Sequence, residues 1–389
     1  MNRLAIVCLG SALVVWVLSS GCASLGRKSA ASGTETSSAV RADLIAPVRE
    51  GNAWGYVDMR GQKVIAPGYE DAGCFCEGLA LAKREGKYGF ITPRGKWSIK
   101  PKFDAVDLFN EGRAAALTDG KWGFLKPSGW WGVRPRYDEV CMFSEGLAAV
   151  KLEGKWGFVD LDGNMVVEPQ FEWVEPFGEG LAPVKLKDGF GYIDATGKII
   201  IEAGYEQALP FSGGIAPVKF RGKWGYIDKS GTWIVEPRFS YAGTLSEGKA
   251  IVAEKDAYGF IDATGHIVID IKYSAALPFS NGLAAVRLGT KFGYVDSGGS
   301  LVIKPGFEQA GPFAAGLAPV RINGKWGYID RTGATPIEPH FDDAGAFVEP
   351  PSAESETQYA TSRTRRMVPW LVGGVLVVGG GVAIALTLL

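Results

Sequence analysis

An aromatic-Gly pair recurs nine times at one fixed spacing, and this restricts the fold more than any other feature of the chain. The pairs are Trp54-Gly55, Tyr88-Gly89, Trp122-Gly123, Trp156-Gly157, Phe190-Gly191, Trp224-Gly225, Tyr258-Gly259, Phe292-Gly293 and Trp326-Gly327. Each aromatic lies 34 residues after the last (88 − 54 = 34), with nothing inserted or lost. Fixed self-similarity at such a period marks a repeat architecture. A chain of 389 residues has room for two or three ordinary domains, but the period argues for one repetitive domain. The 54 Gly and 21 Pro sit at fixed phases of the repeat and read as turn residues, not as low complexity.

The frame that uses the chain best runs from Asp43 to Val348, or nine units of 34 residues. In the fifth unit, Gly180 to Leu186 alternates as a strand, Phe190 to Asp194 is a second and Lys198 to Glu202 a third, joined by Gly-bearing turns. The pattern predicts a three-stranded antiparallel meander per unit. One position is Ala in every copy (Ala46, Ala80, Ala114, Ala148, Ala182, Ala216, Ala250, Ala284, Ala318). A small residue fixed on a strand implies something bulky close above it, with the repeated aromatic as candidate. The Gly after each aromatic reads as a site of close backbone approach or a bulge. An Asp-x-x-Gly column, such as Asp194/Gly197, reads as a side-chain-capped turn, and a Pro-x-aromatic column, such as Pro237/Phe239, as the end of the third strand. Helical repeats share the period but need two long helices per unit, and no window here is free enough of Gly and Pro.

One meander buries too little surface to fold alone, so each unit must pack on its neighbours. The expected fold is all-β: an open superhelical solenoid of nine units, with a closed β-propeller as the alternative because propellers typically have four to eight four-stranded blades.

The Gly222–Asp228 stretch (GKWGYID), the segment Ile234-Val235-Glu236-Pro237-Arg238-Phe239 and the run Phe143-Ser144-Glu145-Gly146-Leu147-Ala148-Ala149-Val150 together resemble the WG (KWG) repeat family of bacterial proteins. The resemblance spans roughly residues 43 to 348 and implies a bacterial repeat protein; it points to no ligand.

Outside the repeats, Asn2 and Arg3 precede an apolar stretch, Leu4 to Leu18, followed by Ser19-Ser20-Gly21-Cys22. This predicts a signal peptide over 1–22, lipoprotein-like, with Cys22 as the lipidated residue. Residues 23–42 read as a flexible tether and 349–366 as a polar and basic linker. The charge-free apolar run Met367 to Leu389 is long enough for a transmembrane helix. These features predict a membrane-anchored protein of the bacterial envelope with its repeat domain exported.

No HExxH, G-x-S-x-G, phosphate-loop or EF-hand spacing occurs, and the two His, His266 and His340, fall at different phases. Cys74 and Cys76 flank Phe75, with Cys141 two units on, and read as apolar packing residues and not a metal site. The expectation is no enzyme, no metal and no cofactor. A net charge of −1 gives no general pull toward nucleic acid. A basic column follows the buried Val of the first strand: Arg49, Lys83, Lys151, Lys185, Lys219, Arg287 and Arg321. An acidic column follows the Pro-x-aromatic: Glu70, Asp104, Asp138, Glu172, Glu206, Glu308 and Asp342. Either the two columns face each other between units, or the basic one is a stripe for an anionic cell-wall polymer or for headgroups. The expected function is a non-catalytic scaffold that binds an envelope protein. The alternatives are a cell-wall carbohydrate-binding module using the Trp column, and a mechanical spacer between membrane layers.

Overall fold

The computed structural model describes residues 44–348. Predictions that fall elsewhere (Cys22 and its signal, the tether, the linker and the apolar run 367–389) lie outside the described residues. Among the described residues no helix is long and apolar enough to cross a membrane.

The backbone is all-β and arranged as nine small antiparallel sheets. In the sixth sheet the three long strands are Ile215–Phe220, Lys223–Asp228 and Trp233–Phe239. A two-residue strand, Gln207–Ala208, pairs with the free side of the first. That short strand comes from the tail of the preceding 34-residue unit, so a unit and a blade are not the same object. Eight sheets have four strands; in the fifth the corresponding tail makes only the bridge Val174↔Val184.

The open solenoid is incorrect, because the last unit returns to the first. Asp343–Ala344 pairs with Ile45–Glu50, through Val48↔Ala344 and Arg49↔Asp343. The ring is a nine-bladed β-propeller. An open stack of nine modules has eight internal interfaces; here there are nine apolar clusters, one per neighbouring pair. The ninth joins Val48 and Val57 to Tyr328, Ile337 and Phe341. A constant step between units satisfies both assemblies; closure requires that step to rotate each unit by about 40° (360°/9).

Between blades 1 and 2, Trp54, Tyr56, Ile65, Tyr69 and Phe75 pack on Ala80, Ala82 and Ile91. The fixed Ala therefore lies under its neighbour's rings, as its size implied. The most deeply covered ring, however, is two residues beyond the Trp-Gly aromatic. Tyr56, Phe90, Phe158, Tyr192, Tyr226, Phe260, Tyr294 and Tyr328 are all fully enclosed. This second ring meets a Phe 19 residues on in eight units, for example Phe124–Phe143 at 4.7 Å and Tyr328–Phe347 at 4.8 Å. Such pairs contribute roughly 0.5–1.5 kcal/mol each beyond burial. In the sixth unit Leu245 replaces the Phe.

A covariation runs between the units. Where the second ring is Tyr, its hydroxyl donates to the backbone carbonyl 17 residues on, as from Tyr56 to Gly73 and Tyr226 to Gly243, both at 2.8 Å. That residue is Gly in four of the five Tyr units and Leu209 in the fifth. Where the ring is Phe, the position carries a side chain instead: Asp107, Cys141, Glu175 or Leu277.

The Gly of the Trp-Gly pair has a single physical cause. Opposite it the third strand spends four residues against two: Trp224 pairs with Phe239 while Tyr226 pairs with Val235. The excess chain crosses over the Gly. A Cβ on Gly225 would lie 2.4 Å from the Val235 carbonyl oxygen, and one on Gly293 2.4 Å from that of Ile303. The same detour corrects the expected strand end. The third strand runs through its proline to the aromatic, Trp233–Phe239 including Pro237. Proline is tolerated because this is the outer member of its sheet, with no ladder on its far side.

Candidate interaction surface

Two belts of polar contacts tie blade to blade, at opposite ends of the strands. At one end the acid joining two blades bridges the hairpin turns of both. Asp342 accepts from the Gly51 N–H at 2.7 Å and pairs with Lys325 at 2.6 Å. Asp138 likewise holds Lys121 at 2.6 Å, and Glu308 receives the Gly324 N–H at 3.0 Å. The hydrogen bond and charge of Lys121 keep the Asp138 carboxyl below its ordinary range, and Lys325 does the same for Asp342.

At the other end, Glu-Gly pairs such as Glu145 (φ 55°) and Gly146 (φ 79°) form two-residue hairpin turns that need positive φ at both positions. Each Glu reaches the next blade's turn. Glu111 accepts from the N–H groups of Glu145 and Gly146 at 2.9 and 2.8 Å; Glu145 accepts from Glu179 and Gly180 at 2.7 and 2.8 Å. This relay was within the F-S-E-G motif, but nothing in a lone sequence shows where the carboxylate points. The Asp-x-x-Gly turns behave as expected. Asp228 accepts from the Ser230 hydroxyl at 2.6 Å and from the N–H groups of Ser230 and Thr232, which hold its carboxyl below the ordinary range.

The basic column falls within this framework. Lys151 pairs with Glu139 at 2.7 Å and lies 5.7 Å from the Trp156 ring. Lys185 pairs with Glu172 at 3.6 Å, Arg321 with Glu308 at 3.9 Å and Arg49 with Asp343 at 4.0 Å. Lys83 sits over Tyr88 at 5.1 Å and Arg287 over Phe292 at 5.8 Å. Lys219 stands opposite Gln207 in the ladder. The column thus runs beside the acids and rings of the blade junctions.

The Trp-Gly aromatics are on the covered side. Trp54, Trp156 and Trp326 are buried, and Tyr88, Trp122, Phe190, Trp224, Tyr258 and Phe292 are half-buried. They form no open aromatic platform. No group of His, Cys, Asp and Glu suited to a metal occurs among the described residues. Cys74, Cys76 and Cys141 are buried, and burial pushes the Cys74 thiol up to about 11.

Blades in a ring converge toward its axis and diverge toward its perimeter, so a strand with an uncovered face belongs to the perimeter. The third strand is that strand. Val64, Val166, Ile200, Ile234, Ile267, Val268, Leu301 and Val302 on it are 36–48% exposed. An uncovered β-branched belt of this kind was not read from the sequence, where the third segment was identified only as a strand.

These features define a closed propeller of Trp-Gly units. The chain belongs to the WG containing repeat family, whose model matches residues 54–88, 88–122, 122–156, 156–189, 190–224, 224–256, 258–291, 292–326 and 326–350. No curated protein sequence matches it. Among solved structures it is similar to a eukaryotic initiation factor (11% identity, 78% of this chain and 97% of that one, TM-score 0.56). It is also similar to the dihydro-heme d1 dehydrogenase NirN in complex with DHE (11%, 79% and 75%, TM-score 0.43) and to Hsv2p of Kluyveromyces lactis (9%, 71% and 98%, TM-score 0.39). The first likeness concerns the propeller fold alone; the other two carry no argument.

Proposed function

We propose that the protein is a non-catalytic scaffold that binds another protein of the bacterial envelope along the propeller's perimeter. One observation carries this reading. The repeated rings and the junction acids are consumed in holding blades together, and the water-facing remainder includes a belt of aliphatic side chains on the outer strands of six blades, 1 and 4 to 8. Contiguous exposed apolar surface rimmed by charge is the signature of a protein contact. Anchoring through Cys22 and through the apolar run Met367–Leu389 belongs to the same proposal and rests on sequence pattern.

The test is crosslinked capture from detergent-solubilised envelope, comparing the wild type with Ile267→Ser/Val302→Ser. A partner recovered with the wild type and lost with the variant supports the reading; capture that ignores the substitutions overturns the perimeter assignment. Protease protection in spheroplasts tests the expected export. Of the three rings that the carbohydrate alternative needs facing solvent, Trp156 and Trp326 are buried and Trp224 is half-buried, which counts against it. The spacer alternative assumed reach proportional to unit number, which a ring does not provide.

A further inference from the structure

The perimeter is electrically uneven, although the chain as a whole carries only −1. On the outer strands of blades 2 and 3 the exposed charges are Lys100, Lys102, Arg134 and Arg136. In blades 4 and 5 the exposed charges on the same strand are Glu168 and Glu202. The four residues Lys100, Arg134, Glu168 and Glu202 are 34 apart (134 − 100, 168 − 134, 202 − 168). They occupy the same position of consecutive blades, so they stand at the same height on the rim, two cations followed by two anions. An exposed tryptophan, Trp130 at 64%, accompanies the cations; Val166 at 41% and Ile200 at 42% accompany the anions.

We infer that this arc is a self-complementary docking surface for a second copy of the chain. A two-fold axis parallel to the propeller axis, at the boundary of blades 3 and 4, reverses the order of charges along the rim without changing their height. It sets Arg134 opposite the partner's Glu168, a pair made twice; Lys100 and Glu202, one blade further round each convex rim, stand farther apart and only extend the same pattern of signs. The same operation brings Trp130 toward the partner's aliphatic belt. An isologous contact of this kind closes as a dimer and does not propagate into fibres. Opposed charges on a rim set the register and orientation of association, and like charges brought face to face suppress it. The inference goes beyond the scaffold reading. Failure to capture a foreign partner leaves it standing, and its own failure leaves that reading intact.

The experiment is sedimentation velocity on the full-length chain in a mild non-ionic detergent at low ionic strength. The expected result is a dimer that dissociates as salt is raised. Arg134→Glu and Glu168→Arg, made singly, each weaken the dimer by at least about tenfold, because two like-charge contacts replace two pairs. Mixing the two single variants restores association as a heterodimer, and the double exchange within one chain restores the homodimer. Rescue cannot come from misfolding or from association of the apolar run, since neither depends on the sign of these side chains. A monomer at every concentration, or single variants that dimerise like the wild type, overturns the inference. So does a monomer whose cationic arc is instead retained on an anionic polysaccharide matrix in an Arg134-dependent way.

Discussion

The interface between blades 9 and 1 is built like the one between blades 8 and 9, yet it has no continuous chain across it. Their hydrogen bonds match position for position, with Asp342 at the seam where Glu308 stands at 8/9. At 8/9, Tyr294 donates to the Gly311 carbonyl at 2.8 Å, the Gly311 N–H to Pro319 at 2.8 Å and the Gly324 N–H to Glu308 at 3.0 Å. At the seam, Tyr328 donates to Gly345 at 2.8 Å, the Gly345 N–H to Pro47 at 2.8 Å and the Gly51 N–H to Asp342 at 2.7 Å. The side chains alone therefore specify the contact, and covalent continuity only raises the local concentration of the partners.

The largest effect should come from a change inside a blade, where the seam is irrelevant. Gly293→Ala and Gly327→Ala each place a Cβ within 2.4–2.5 Å of a third-strand carbonyl oxygen. Each should cost about 3 kcal/mol or more, equally in both blades, by chemical denaturation. A marked inequality between them breaks the equivalence of blades. Next, Phe341→Ala at the seam and Phe239→Ala at the interface of blades 6 and 7 remove rings that are equally enclosed. Both should cost roughly 3–5 kcal/mol. Only the seam variant should also accelerate amide exchange in Ile45–Glu50, because an opened seam frees that strand. Exchange that rises equally in both variants would mean the ring opens anywhere.

The interface of blades 4 and 5 sharpens the comparison through pH. There Glu175 takes the position that is Gly345 at the seam. It is 6% exposed and receives the Trp173 indole N–H at 3.0 Å. Burial pushes its carboxyl up from 4.5 to about 7, against the Trp173 hydrogen bond. A raised acid binds more protons folded than unfolded, so the stability it contributes falls as pH rises from about 4.5 through 7. Glu175→Gln should flatten that slope, by about 3 kcal/mol at most above pH 7. An unchanged pH profile rejects the assignment. The smallest effect is Tyr328→Phe, about 1 kcal/mol for one hydrogen bond, matched by Tyr294→Phe in differential melting.

Much of this was legible in the sequence. The period fixed the number of modules, and alternation located the long strands of the fifth unit within a residue or two at their starts. The invariant Ala announced a ring above it, and the Gly announced close backbone approach. What stayed hidden was geometric. A two-residue strand such as Gln207–Ala208 is too short for any period to register. Closure depends on a rotation per unit that no residue encodes by itself. The deepest rings, Tyr226 and its equivalents, are chemically indistinguishable in sequence from the Trp-Gly aromatics two places earlier, and only packing separates them. The relay of Glu111, Glu145 and Glu179 went unread because a carboxylate's reach into the next blade leaves no pattern in the sequence.

The 34-residue segment straddles two sheets, and this has a genetic consequence. Tyr226 and the carbonyl it binds, at Gly243, belong to one segment but to two blades. Duplicating or excising a segment at that interval always moves hydroxyl and acceptor together, so the inserted piece arrives with its own glue for whichever blade comes next. Propellers of a different circumference are one recombination event away, without any new contact having to be invented.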